Sequence, residues 1–176
     1  MLSRSNGLIL ALAVLAAALG GYVEHRQLAP SQEPDATLIG QPAPAVVLAD
    51  LDGKPHRLSD YRGRRVLLNF WASWCGPCLT EMPALVHAQA KFGEHGPIVV
   101  GIAMDDAART RAFVTAHPLN YPILLGRLEA PSTSVTLGDS RAVLPYSVLI
   151  GADGRVLATH TGALPSATLE QWLGAR

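Results

Sequence analysis

The stretch VLLNFWASWCGPCLTEMP, Val66 to Pro83, contains a change of hydrophobic period that decides the fold. Val66 to Trp71 is a compact apolar run, the pattern of a strand buried on both faces. From Pro77 to Phe92 the period lengthens, with Leu79, Met82, Leu85, Val86 and Ala90 at helical spacing and Gly93 just past the end as a stop. Pro83 falls inside this helix and is expected to bend it. Trp74-Cys75-Gly76-Pro77-Cys78 lies between strand and helix and holds both cysteines of the chain.

A helix start carries unpaired backbone N–H groups and a partial positive charge, so a cysteine placed there is stabilised as thiolate, the form that attacks disulfides. Cys75 has that position. Cys78, one turn further, lies on the same face and can close a small ring, while Pro77 suits the first turn, where its missing N–H would be unpaired anyway. Cys75 is therefore expected to be the nucleophile and Cys78 the resolving thiol. The alternative is a static bridge, but so small a ring cross-links almost nothing, since loop-closure stabilisation grows with loop length.

A Cys-x-x-Cys pair can also hold a soft metal ion. Structural zinc needs two further ligands, and His25, His56, His87, His95, His117 and His160 include no closely spaced pair. Each reads as a surface residue. A transient copper site on Cys75 and Cys78, with Met82 or Met104 as third ligand, stays open and would make the chain a dithiol metallochaperone. No resident metal and no cofactor is expected.

Outward from the motif, strands and helices alternate. Val46 to Ala49 and His56 to Leu58 flank Asp52-Gly53, a two-residue hairpin signal. Ile98 to Ala103 reads as a second buried strand, followed by a helix from Ala107 to His117 with Pro118 behind it. A short strand is expected at Pro122 to Leu125 and a short helix at Ser132 to Leu137. Ser147 to Ile150 and Val156 to Thr161 bracket a second hairpin signal, Asp153-Gly154. Pro165 to Leu173 closes the chain as an amphipathic helix with Trp172 facing inward. The order implies an α/β fold: a central mixed sheet flanked by helices.

With 176 residues, 14 basic against 14 acidic side chains and zero net charge, the chain has no electrostatic footprint for nucleic acid. Its hydrophobic fraction of 49% excludes a disordered chain. Part of that fraction is the charge-free run Gly7 to Val23 behind Arg4, which reads as a secretory signal peptide or an uncleaved signal-anchor over residues 1–23. Ala16 and Ala18 are set as in a cleavage site, and Arg4 supports a cytoplasmic N-terminal side. Residues 24–38 turn polar and Pro-containing, a linker, and 39–176 form one domain.

The stretch VLLNFWASWCGPCLTEMP, together with Leu144-Pro145 before SVLI and the GADG turn, resembles the thioredoxin superfamily, and more closely its exported, often membrane-tethered TlpA/ResA-like branch of thiol:disulfide reductases. The likeness covers about residues 39 to 174. It implies a thioredoxin-like fold with an N-terminal β-hairpin, an inserted strand–helix element between Ile98 and Leu137, and a cis Pro145 beside the sulfurs, where Leu144 backbone groups pair with substrate. Trp74 resembles the family's exposed indole at the active-site edge, and Gly76 and Pro77 complete the motif. Asn69 stands where cytoplasmic thioredoxins carry a buried acid, and asparagine cannot take a proton. Glu81, matching an acidic position of ResA-like proteins, is the substitute proton acceptor; otherwise it is an ordinary acid near a helix start.

The implied activity is reduction of protein disulfides in the periplasm, with apocytochrome c or copper-site cysteines as substrates. A reducing pair lies near about −270 mV and a strong oxidant near about −120 mV. Such a dithiol needs electrons in an oxidising compartment, so the resemblance also implies a membrane thiol donor of DsbD or CcdA type. A disulfide oxidase or isomerase is the alternative.

Overall fold

The computed structural model describes residues 38–93 and 95–174. The leader expected at 1–23 and all of the linker except Leu38 lie outside the described residues. Strands are β1 (Val47–Ala49), β2 (Pro55–Arg57), β3 (Val66–Trp71), β4 (Ile98–Ala103), β5 (Ile123–Leu125), β6 (Tyr146–Ile150) and β7 (Val156–Thr161). Helices are α1 (Gly76–Phe92), α2 (Ala107–Ala116), α3 (Thr133–Thr136) and α4 (Ser166–Gly174), with a 3-10 turn at Leu58–Tyr61.

β3 to β7 form one mixed sheet in the order β5-β4-β3-β6-β7, and β1 and β2 form a separate antiparallel hairpin. β3 pairs parallel with β4 and antiparallel with β6, so it is central, which explains why all six of its residues are buried. Its side chains alternate between two core layers. Val66, Leu68 and Phe70 join the layer that holds Leu48, Val100 and Tyr146; Leu67 and Trp71 join the layer under α1 and α4. Fully burying one such Leu is worth about 1.5–3 kcal/mol.

α1 turns Cys78, Glu81, Met82, Leu85 and Ala88 inward, and Pro83 lies within it. It ends where Gly93, at φ 64°, donates its N–H to Gln89 O. α4 packs beside α1, with Leu169 and Leu173 buried. Trp172 is only half-buried at the rim, not the inward residue the sequence suggested, because Leu169 and Leu173 hold the inward face. An exposed ion pair, Lys91 to Glu170 at 2.5 Å, also links the two helices.

Both hairpin loops differ from the two-residue turns expected. At the first, Asp50 N donates to Lys54 O and Gly53 N to Asp50 O; at the second, Gly151 N donates to Arg155 O and Gly154 N to Gly151 O. Each loop therefore spans three residues and ends on a glycine at positive φ, 82° for Gly53 and 84° for Gly154, the form in which a tight turn is followed by a left-handed bulge residue. The Asp-Gly pairs supply the left-handed residue rather than both centres of the turn.

Candidate active site

The end of β3 leads through Ala72, Ser73 and Trp74 to Cys75, which caps α1 in an extended conformation. Two groups fix this approach. Asp105, buried just past β4, accepts from Ser73 Oγ at 2.5 Å and Ser73 N at 3.2 Å, and Cys75 N donates to Ala72 O at 3.1 Å. Cys75 and Cys78 form a disulfide, with Cα atoms 5.3 Å apart. Cys78 N donates to Cys75 Sγ at 3.4 Å, so the sulfur that reaches the surface takes a hydrogen bond from the first turn of the helix. Cys78 is wholly buried, whereas Cys75 retains 6% exposure. The outward and inward sulfurs are thus distinct. Gly76 between them faces open space: a Cβ there would meet nothing within 4 Å.

Trp74 is 66% exposed beside Cys75, and Trp71 is fully buried in the core. Leu144-Pro145 is a cis peptide bond, and so is Ala130-Pro131, which the sequence did not suggest. The pairing of Phe70 with Tyr146 places Pro145 opposite the C-terminal end of β3, from which the cysteine loop departs. Pro145 O accepts from Gly162 N at 2.8 Å in the turn after β7.

Glu81 is buried one turn after Cys78, so it is not a solvated acid near a helix start. Asn69 Nδ2 donates to its Oε1 and Leu164 N to its Oε2, each at 2.7 Å. Burial pushes its carboxyl above the usual range; the Leu164 and Asn69 hydrogen bonds and the nearby His160 pull it back in part. Tyr121, also buried, is pushed up chiefly by burial and further by the Glu81 charge. Of the two methionines considered as copper ligands, Met82 shares the cysteines' core layer, but Met104 belongs to the opposite layer and does not face the pair. Met104 directly follows β4, and it and Ala103, the last residue of that strand, point to opposite faces.

Ser73, Asp105, Ser147 and the Leu164 N–H escaped the reading of the sequence. The polar Asn69 and Ser147 inside the apolar strands VLLNFW and YSVLI were the available signal for the buried network.

A model of the Redoxin family matches residues 38–173. The thiol-disulfide oxidoreductase ResA of Geobacillus thermodenitrificans is 32% identical over 142 residues, covering 80% of this chain and 79% of that protein. Among solved structures, a Chlorobium tepidum protein assigned as the thiol:disulfide interchange protein DsbE is 31% identical, covering 74% of this chain and 92% of that one, at a TM-score of 0.65. A secreted thiol-disulfide isomerase of Corynebacterium glutamicum is 26% identical, covering 74% of this chain and 82% of that one, at a TM-score of 0.66.

Proposed function

Because the chain belongs to the Redoxin family and is a thioredoxin-like thiol-disulfide oxidoreductase of the ResA and DsbE type, we propose that it reduces protein disulfides outside the cytoplasm. The observation that carries this reading is the asymmetry of the disulfide: Cys75 Sγ at the surface takes a hydrogen bond from the first turn of α1, and Cys78 is sealed beneath it.

In the reduced protein, the Cys75 thiolate attacks one sulfur of a substrate disulfide, forming a mixed disulfide and releasing the other substrate sulfur as thiolate. The Cys78 thiol gives its proton to the Glu81 carboxylate, and the resulting thiolate attacks Cys75 Sγ. The Cys75–Cys78 disulfide forms and the second substrate thiolate leaves, so two electrons have passed from the pair to the substrate. Trp74, Leu144 and Pro145 form the rim on which the substrate strand rests, with Gly76 and Pro77 at the tip of the motif.

A membrane thiol donor of DsbD or CcdA type would return the electrons, and the segment 1–23 would deliver the domain to the periplasm and hold it at the membrane. Apocytochrome c and copper-site cysteines are the substrates that suit this setting. Trapping with Cys78→Ser tests the reading: Cys75 should accumulate mixed disulfides with periplasmic proteins. The equilibrium potential against glutathione tests direction. A value near about −270 mV supports a reductase, and one near about −120 mV overturns it in favour of an oxidase.

A further inference from the structure

We propose that Asn69 is a positioning residue for proton exchange at Glu81, its carboxamide held in place by Ser147 and able to serve either protonation state of the acid by turning over. The inference rests on the reading of Glu81 as proton acceptor and adds the group through which that acceptor is controlled.

The geometry begins with register. Asn69 on β3 lies opposite Gly101 on β4 and Ser147 on β6, and Ser147 lies opposite His160 on β7, so Asn69, Ser147 and His160 form one row beneath Glu81. Gly101 leaves its place in the row without a side chain. Asn69 Nδ2 spends both its hydrogens within the row: one on Glu81 Oε1 at 2.7 Å, the other on Ser147 Oγ at 3.2 Å. Asn69 Oδ1 is buried and has no partner.

That arrangement suits an ionised Glu81, whose two oxygens only accept. A carboxylic acid needs an acceptor for its O–H, and the Asn69 amide offers one at the same place when it rotates by a half turn and brings Oδ1 to face the acid. Ser147 tolerates either orientation, because a hydroxyl accepts from Nδ2 and donates to Oδ1. An asparagine that cannot carry a proton therefore follows one. A leucine here would leave Glu81 Oε1 buried without its donor.

The groups that act on Glu81 from the surrounding elements are Asn69, the Leu164 N–H, His160 and Tyr121, and on its own helix Cys78 is buried on the same inward side. His160 Nε2 lies 3.2 Å from Ala163 O, next to the Leu164 N–H that Glu81 uses, so its charge acts on Glu81 through the field and not through direct contact.

The test follows the Glu81 carboxyl by its carbon-13 shift against pH in the oxidised full chain, with the signal identified by its loss in Glu81→Gln. Turned over, the amide serves the acid less well than the ionised form, because Nδ2 then takes the place where Oδ1 has no partner; removing it therefore costs the carboxylate more, and Asn69→Ala should raise the titration midpoint by about one pH unit. Ser147→Ala, a smaller change that protects the test if Asn69→Ala does not fold, should raise it by less. Midpoints equal to wild type in the folded variants overturn the inference. The underlying reading is checked separately by the pH profile of thiol alkylation in reduced Glu81→Gln. An unchanged profile defeats Glu81 as proton acceptor; a changed profile with unmoved carboxyl midpoints in the two other variants defeats the role of Asn69 alone.

Discussion

Reducing the Cys75–Cys78 bond should cost the folded protein little stability, and the amount follows from the chain. The cysteines are three positions apart, so the bond closes a ring of about four residues. The chain-entropy relation gives about 2 kcal/mol for such a ring, against about 3 kcal/mol for a loop of fifteen residues. The reduced form recovers part of this through the thiolate at the start of α1, an effect of up to about 2 kcal/mol. Oxidised and reduced proteins should therefore differ by at most about 2 kcal/mol. By linkage this equals the difference in potential between the folded and unfolded pair, at most roughly 40 mV for a two-electron couple. The assay is urea unfolding of the full chain with and without a strong reductant, with Cys75→Ser/Cys78→Ser as the chemically locked reference. For a domain of this size the melting temperatures should lie within about 8 °C of each other. A loss of 4 kcal/mol or more would show that the bond staples the fold, and would refute its reading as a redox couple.

The other predictions concern the surroundings of that bond. Glu81 is pushed above its ordinary value of 4.5, so its contribution to stability is full below that pH and lost as pH rises through the folded-state value; Glu81→Gln should flatten that decline in denaturation measured across a pH series. Leu67→Ala removes a fully buried side chain from β3 and should cost about 2–5 kcal/mol by urea unfolding, and a loss below about 1 kcal/mol would contradict the packing described. Asp105→Ala leaves the Ser73 N–H and hydroxyl without their acceptor and should cost about 1–3 kcal/mol, read the same way. Trp74→Ala should change stability by no more than about 0.5 kcal/mol while lowering the turnover of a protein disulfide, because the indole is exposed beside Cys75; an unaltered rate would remove it from the substrate rim.

The local parts of the fold were legible because they depend on period. β3 and β4 lie at Val66–Trp71 and Ile98–Ala103, as their apolar runs indicated, and α1 starts one residue before the expected Pro77. The cysteine pair was legible for the same reason: a strand, a short loop and a helix start were all written within one stretch. The partners of Glu81 were not. Leu164 lies 83 positions away and contributes only a backbone N–H, which no residue type announces. Asn69 was visible as a departure from an acidic position, but its role as donor to Glu81 requires knowing that α1 lies across β3. The two hairpin loops were legible as turns and misjudged in length, since Asp-Gly serves both two-residue and three-residue turns, and only pairing of the flanking residues separates them.

The open surroundings of Gly76 stand in contrast to those of Gly101, where a Cβ would lie 2.7 Å from Ile123 Cδ1 and 3.1 Å from Trp71 Nε1. Gly101 is bound to its neighbours by volume; Gly76 is bound to nothing. A side chain can therefore be added at Gly76 with no toll on the packed interior, outside the layers that fix the fold. The motif thus keeps one position free of the architecture, where the sequence can change while the scaffold stays as it is.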